Sequence, residues 1–285
     1  MWKLNSPDTT QAARELLRGL LRLDGKPVSH KPTAAQRNGV RKLYNRYDAA
    51  LGAPSPTLKG VRFAKAFRDA VKAAYNEVQE DGRLSDLRAR LKNVQGQCPY
   101  CGIGEIGDLD HFLPQTTYNL LSVYARNLIP CCHKCNRAKG TLASPTPTEH
   151  LAHAYFDAFP PERFFFAEVS VSPAGLKTRF YIEKSVAMTQ AFADRLTFQV
   201  QRFELNKRYP AVVNSYLGGQ KEWIEQAGRA GLPALRATLV GQRDSLARQF
   251  ALNDWRTALM YALSESDDFC DGGYRFCFGA PHPGA

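Results

Sequence analysis

Between Cys98 and Gly140 the chain reads CPYCGIGEIGDLDHFLPQTTYNLLSVYARNLIPCCHKCNRAKG, and its chemically directed residues concentrate there. Two Cys-x-x-Cys pairs, Cys98 with Cys101 and Cys132 with Cys135, offer four thiolates. Two residues between ligands let a tight knuckle aim both sulfurs at one ion, so the spacing predicts a tetrahedral structural Zn2+ site. Cys131 and His133 are the competing ligands beside the second pair, but neither restores the two-residue spacer. The 30 residues between the two pairs would be clamped by the metal. Asp108, Asp110, His111 and Asn127 stand inside that clamp, and Asn136, Arg137 and Lys139 follow it directly.

Three short elements must position these groups. A strand over Ile106–Phe112 would alternate Asp108 and Asp110 onto one face and His111 onto the other. Asn127-Leu-Ile-Pro130 reads as a second strand. Asn136-Arg-Ala-Lys-Gly140 reads as a short helix that leaves the second knuckle and ends at glycine.

Strand, strand and helix carry, in order, Asp-His followed by an apolar pair and Pro-Gln, then Asn-Leu-Ile-Pro, then Cys-x-x-Cys-Asn-x-x-Lys-Gly. Over about 45 of the 285 residues this block resembles the HNH endonucleases, also called ββα-metal nucleases. Asn136 stands where many members have the final histidine of the name. In this respect, and in Asp-x-Asp-His and Asn-Arg-x-Lys, the block is similar to the HNH domains of CRISPR effector nucleases.

The resemblance implies hydrolysis of DNA phosphodiester bonds to 5′-phosphate and 3′-hydroxyl ends, with DNA rather than RNA as substrate by family habit alone. It makes His111 the general base, since a neutral imidazole accepts a proton at pH 7. It makes Asp110 and Asn136 ligands of one catalytic Mg2+ or Mn2+, for which hard oxygen donors are suited, with Asp108 a supporting or alternative ligand. Asn127 would orient the loop behind His111, and Arg137 and Lys139, at the exposed start of the helix, would touch phosphate. One such site cuts one strand, so a double-strand break needs a homodimer or two successive nicks. Leu-Ser-Val, Asn-Leu-Ile-Pro-Cys-Cys and a downstream Tyr-Phe-Asp are also similar to HNH proteins of Septu-type anti-phage systems, which implies a controlling ATPase partner. The rival reading is a zinc-ordered nucleic-acid-binding or assembly subunit without catalysis.

Composition is that of an ordinary globular protein, with 44% hydrophobic and 23% charged residues. No run of 18 apolar residues occurs and the start, MWKLNSPDTT, has no apolar signal-peptide region, so a cytoplasmic protein without membrane association is expected. Seven cysteines without an export signal point to metal or free thiols, and Cys270 and Cys277 read as unliganded. Residues 1–97 hold 19 Lys/Arg against 9 Asp/Glu, 98–143 hold 4 against 3, and 144–285 hold 15 against 15. The basicity therefore sits in the first third, which suits a polyanion. There is no Walker A sequence, which speaks against nucleotide hydrolysis.

The spacing predicts a mainly α chain with a small central ββα zinc module and a β-hairpin in the C-terminal part, an α+β class. It divides into a basic helical region (1–92), the zinc-bound nuclease module (93–143) and a mainly helical region (144–285) with the hairpin near 164–184. Asp8 is expected to cap a helix bearing Ala12, Leu16, Leu17, Leu20 and Leu21, and Thr33 to cap a second bearing Val40, Leu43, Tyr44 and Tyr47. A third is expected from Leu58 to Gln79, with Val61 on its apolar stripe and Arg62, Lys65, Arg68 and Lys72 as an outward, phosphate-facing row. A fourth covers Leu84–Lys92. His150 and His153 read as packing or exposed residues, Val186 to Ser264 as helical, and the tail from Asp271 as unstructured.

Overall fold

The computed structural model describes residues 3–22, 24–94 and 96–278. They form two compact units, one over Lys3–Ala158 and one from Phe159 onward. The fold is mainly helical with two small antiparallel strand pairs. No helix among the described residues is long and apolar enough to cross a membrane.

In the first unit, α1 (Ala12–Leu20) buries Leu16 and Leu20. Asp8 does not cap it. Its carboxylate accepts from Thr10 N instead, closing a turn one step too early, and α1 starts without a side-chain cap. α2 (Ala34–Ala49) starts as its sequence predicts: Thr33 accepts from Gln36 N while the Gln36 side chain accepts from Thr33 N. It buries Val40, Leu43, Tyr44 and Tyr47.

The expected long third helix is broken into pieces. A 3-10 turn covers Pro56–Lys59, α3 covers Lys65–Ala73, and a second 3-10 turn covers Ala74–Val78. Gly60 adopts φ +64°, a left-handed conformation that interrupts the helix and leaves Val61 72% exposed. Arg62 therefore precedes the helix rather than lying on its face. Lys65 pairs with Asp69 at 2.5 Å and Arg68 Nε donates to Phe63 O at 3.2 Å, so the four cations do not form one free row. α4 (Ser85–Lys92) packs on the central strands.

Those strands, β1 (Asp108–His111) and β2 (Leu128–Cys131), pair antiparallel with Asp110 opposite Ile129 and His111 opposite Leu128. α5 (His133–Lys139) packs on β1 and ends at Gly140. His153 is 1% exposed, packed on Phe112 at 4.1 Å and Phe156 at 4.4 Å between ring centroids, so it serves as a core residue.

In the second unit, β3 (Phe165–Ser172) and β4 (Gly175–Ile182) form the expected hairpin around Pro173 and Ala174. Five helices follow, α6 (Gln190–Arg202), α7 (Leu205–Gly218), α8 (Lys221–Arg229), α9 (Leu232–Phe250) and α10 (Trp255–Glu265), before the short α11 (Asp267–Cys270). Phe165, Phe180 and Tyr209 form an aromatic core between the hairpin and α7. The tail is not unstructured as far as it is described: a 3-10 turn covers Gly273–Cys277 with Tyr274 2% exposed. Its ring lies where a side chain at Gly228 would stand, 2.3 Å from that position, so aromatic burial overrides the glycine-rich composition. The expectation for residues 279–285 lies outside the described residues.

Tyr47 ties α2 to the centre of the first unit. Its hydroxyl donates toward Arg126 O at 3.3 Å and meets His153 Nε2 at 2.9 Å, fully buried. Tyr47→Phe removes both contacts and is expected to cost about 1–3 kcal/mol, the usual loss of a buried polar contact. Urea unfolding measures it, and an unchanged midpoint would show that the hydroxyl holds nothing.

Candidate functional site

The four sulfurs of Cys98, Cys101, Cys132 and Cys135 lie within 4.8 Å of one another and all four residues are buried. Cys101 and Cys132 are 3.8 Å apart, none of the four is in a disulfide, and a tetrahedron with Zn–S bonds of about 2.3 Å has edges of about that length. The donor set therefore fits a structural zinc ion. The first knuckle is shaped by Cys98 N donating to Gly104 O and Gly102 N to Cys98 O, both at 2.8 Å. Gly102 takes φ +71°, and a Cβ on Gly104 would sit 2.6 Å from Cys132 Sγ. Glycine is needed at 104 because a sulfur occupies that space. Cys131 points elsewhere, its thiol pushed far up in pKa by burial. Cys270 and Cys277 join no metal-ligand group among the described residues.

β1 presents Asp108 and Asp110 toward α5, and α5 answers with Asn136 and Lys139. Asp110 is 3% exposed; it accepts from Tyr100 Oη and from Lys139 Nζ, each at 2.9 Å. Lys139 is 1% exposed and also donates to His111 O at 2.6 Å. This corrects the expectation of an exposed, phosphate-contacting Lys139. The residue closes the last turn of α5, and that turn lies against β1, so the ammonium is drawn to the buried carboxylate. Arg137, two residues earlier, is exposed as expected.

Asn136 does not meet Asp110 either. Its Nδ2 donates to Asp108 Oδ2 at 2.8 Å, and His133 Nδ1 lies 3.0 Å from the same oxygen. The structure thus separates the two carboxylates: Asp110 is committed to Lys139 and Tyr100, while Asp108, on the more accessible edge, gathers Asn136 and His133. Asp110 with Asn136 does not make a ligand pair in this arrangement. Asp108 with Asn136 brings a carboxylate and an amide together; the amide faces Asp108 with its NH2 group, and turning it to present Oδ1 would complete an oxygen pair for a hard cation.

His111 is 8% exposed, and its Nε2 is 2.9 Å from Ser122 O. A carbonyl only accepts, so Nε2 carries the proton and Nδ1 keeps the lone pair. Burial lowers its pKa to about 4, against the opposing pull of the Ser122 carbonyl, so the ring is neutral at pH 7. The Tyr75 ring stands edge-on to it, 4.3 Å between centroids. Asn127, fully buried, accepts from Leu113 N at 2.8 Å and donates to Leu113 O at 3.1 Å, and its backbone O accepts from Phe112 N at 2.8 Å. That places Asn127 as a clamp on the two residues following His111.

Sequence reasoning missed Tyr100, Tyr75, Ser122 and the Asp108 contact of His133. Tyr100 sits inside the first Cys-x-x-Cys and could have been found there. Ser122 acts through its backbone carbonyl, which no residue type announces.

Three measurements follow from this geometry. Metal analysis is expected to find one tightly bound zinc per chain, with Gly104→Ala lowering both zinc content and Tm; a folded protein without zinc would refute the site. Lys139→Met strands a buried carboxylate and is expected to cost about 3–5 kcal/mol by chemical unfolding, and a change below 1 kcal/mol would contradict the pairing. Because the folded pKa of His111 is about 4 and the ordinary value 6.5, the unfolded chain takes the proton first on acidification. Stability is therefore lost as pH falls from 6.5 toward 4, by about 3 kcal/mol, and this slope is expected to vanish in His111→Gln. Equal slopes in both proteins would show that the ring is not held neutral.

Among known proteins, the chain is 27% identical over 194 residues to protein ea31 of Escherichia phage lambda, a match covering 62% of this chain and 64% of that one. It is 40% identical over 78 residues to Septu protein PtuB of Bacillus thuringiensis, covering 22% of this chain and 30% of that one. Each match spans less than two thirds of the relative's length. No family model matches, and no solved structure matches.

Proposed function

We propose that this chain is an HNH-type, metal-dependent endonuclease that hydrolyses DNA phosphodiester bonds and acts in anti-phage defence under the control of a partner protein. One observation carries the reading. The His111 imidazole is held neutral by burial with Nε2–H fixed on the Ser122 carbonyl, which leaves Nδ1 as the basic atom beside a strand whose Asp108 meets Asn136. The partial similarity to a Septu protein supports the defence setting.

In this reading His111 Nδ1 takes the proton of the water that attacks phosphorus. Asp108, and Asn136 with its amide turned to present Oδ1, would hold Mg2+ or Mn2+, which would supply charge to neutralise the scissile phosphate and stabilise the leaving 3′ oxygen. Asp110 and Lys139 keep β1 and α5 in register, Asn127 fixes the chain beyond His111, and exposed Arg137 meets a flanking phosphate. His111 is 8% exposed with the Tyr75 ring edge-on to it, a closed arrangement that suits an enzyme held in check until its partner acts.

The same burial, with Asp110 spent on Lys139, favours the second reading of a catalytically silent, zinc-ordered subunit. Supercoiled plasmid with Mg2+ or Mn2+ separates them. The wild type, or Tyr75→Ala if the ring blocks access, is expected to nick DNA, and His111→Ala in the same background is expected to lose at least about 100-fold in rate, the scale of general-base catalysis. Nicking that survives His111→Ala, or none by either active-site-intact form, would sink the nuclease reading.

A further inference from the structure

In the basic first third of the chain α2 carries four exposed cations, whereas the one exposed cation of α3, Lys65, is paired with Asp69. α2 carries Arg37, Arg41, Lys42 and Arg46 against one acid, Asp48. Asp48 is withdrawn from that surface: it pairs with Arg126 at 2.5 Å and accepts from Tyr124 Oη at 2.8 Å. All four cations are exposed, and Arg41, Lys42 and Arg46 have no recorded partner among the described residues. At 100° per residue Arg41, Lys42 and Arg46 fan across the half of the helix opposite the buried Val40, Leu43, Tyr44 and Tyr47, with Asn38 and Asn45 between them. From Arg37 to Arg46 the helix rises about 13 Å, some four base steps of duplex at about 3.4 Å each.

The α3 cations are differently placed. Lys65 is neutralised by Asp69, Arg68 is turned onto the Phe63 carbonyl, and Arg62 lies over the Phe63 ring at 5.2 Å.

α2 is also mechanically joined to the candidate site. Tyr44 stacks on Tyr124 at 4.0 Å, Tyr47 reaches Arg126 O and Asp48 holds the Arg126 side chain. Tyr124 to Arg126 lead straight into Asn127, the residue that clamps the chain beyond His111. The buried face of α2 is therefore bolted to the site, while its exposed face offers unpaired cations and amides. Guanidinium, ammonium and amide donors without base-edge geometry are the groups that bind phosphate oxygens and fix register on a duplex.

We infer that the exposed face of α2, through Arg41, Lys42 and Arg46 with Asn38 and Asn45 between them, is a surface that grips the phosphodiester backbone of duplex DNA. The inference rests on the nuclease reading for its purpose but not for its test. Binding of a labelled DNA duplex is measured by fluorescence anisotropy in EDTA across a salt series, so that no cleavage intervenes. The triple variant Arg41→Gln, Lys42→Gln, Arg46→Gln is expected to reduce the slope of log K against log salt by about 2.7, at about 0.9 per phosphate contact, and to weaken low-salt binding at least about tenfold. Lys65→Gln with Lys72→Gln is expected to change the slope by less than about 1. Circular dichroism and Tm of the triple variant should match the wild type, and the single Arg41→Glu gives the same direction if they do not.

A wild type that does not bind duplex, a triple variant with the wild-type slope, or an α3 variant that loses as much would overturn the inference. The nuclease reading is judged separately by plasmid nicking. His111-dependent nicking together with an unaltered triple-variant slope removes this surface and leaves the nuclease; a flattened slope with no His111-dependent nicking leaves the DNA contact and removes the nuclease.

Discussion

Lys139 and Asp110 face each other at 2.9 Å with side-chain exposures of 2% and 3%, and the arrangement of the central module depends on that pair. Burying either charge alone would cost several kcal/mol, so helix α5 and strand β1 cannot slide without stranding one of them. The ammonium also binds the His111 carbonyl and the carboxylate also binds Tyr100 inside the first cysteine knuckle. One ion pair thus joins the helix, the strand bearing His111 and the zinc-type cluster. Such a pair adds little net stability over an apolar contact, and what it supplies is register.

Because Asp110 is used for register, the contact with Asn136 that its sequence position suggests is made by its neighbour two residues earlier. Asp108 lies on the same face of β1 but at its accessible end, where Asn136 and His133 of α5 converge. Two carboxylates of the same type, two residues apart in the strand, differ in burial: the deep one holds the fold and the shallow one remains open to solvent. His111, on the other face, is sorted by the same means, since a ring at 8% exposure on a backbone carbonyl stays neutral.

The same distinction between spent and available charge applies to the surface. Counting lysines and arginines locates the excess in residues 1–97. It does not say which are neutralised, and the row on α3 that looks most regular in sequence is the one partly paired with Asp69 and turned back onto Phe63. The cations of α2 stand clear because the helix's single acid is pulled inward by Arg126 and Tyr124.

The four-cysteine cluster, the strand-strand-helix order, the capped second helix and the hairpin near Pro173 were legible in the sequence, because each depends on local spacing: two-residue knuckles, alternation, Thr33 ahead of an apolar stripe and a Pro-Ala-Gly turn. What depends on long-range partners was not. The break at Gly60, the anchoring of Tyr274 over Gly228, the inward turn of Lys139 and the choice of Asp108 over Asp110 as partner of Asn136 are decided by contacts between segments far apart in the chain. A residue's type sets which bonds it can make. Which of them it makes, and whether any capacity is left for a substrate or an ion, is fixed only when the tertiary structure determines what is buried beside it.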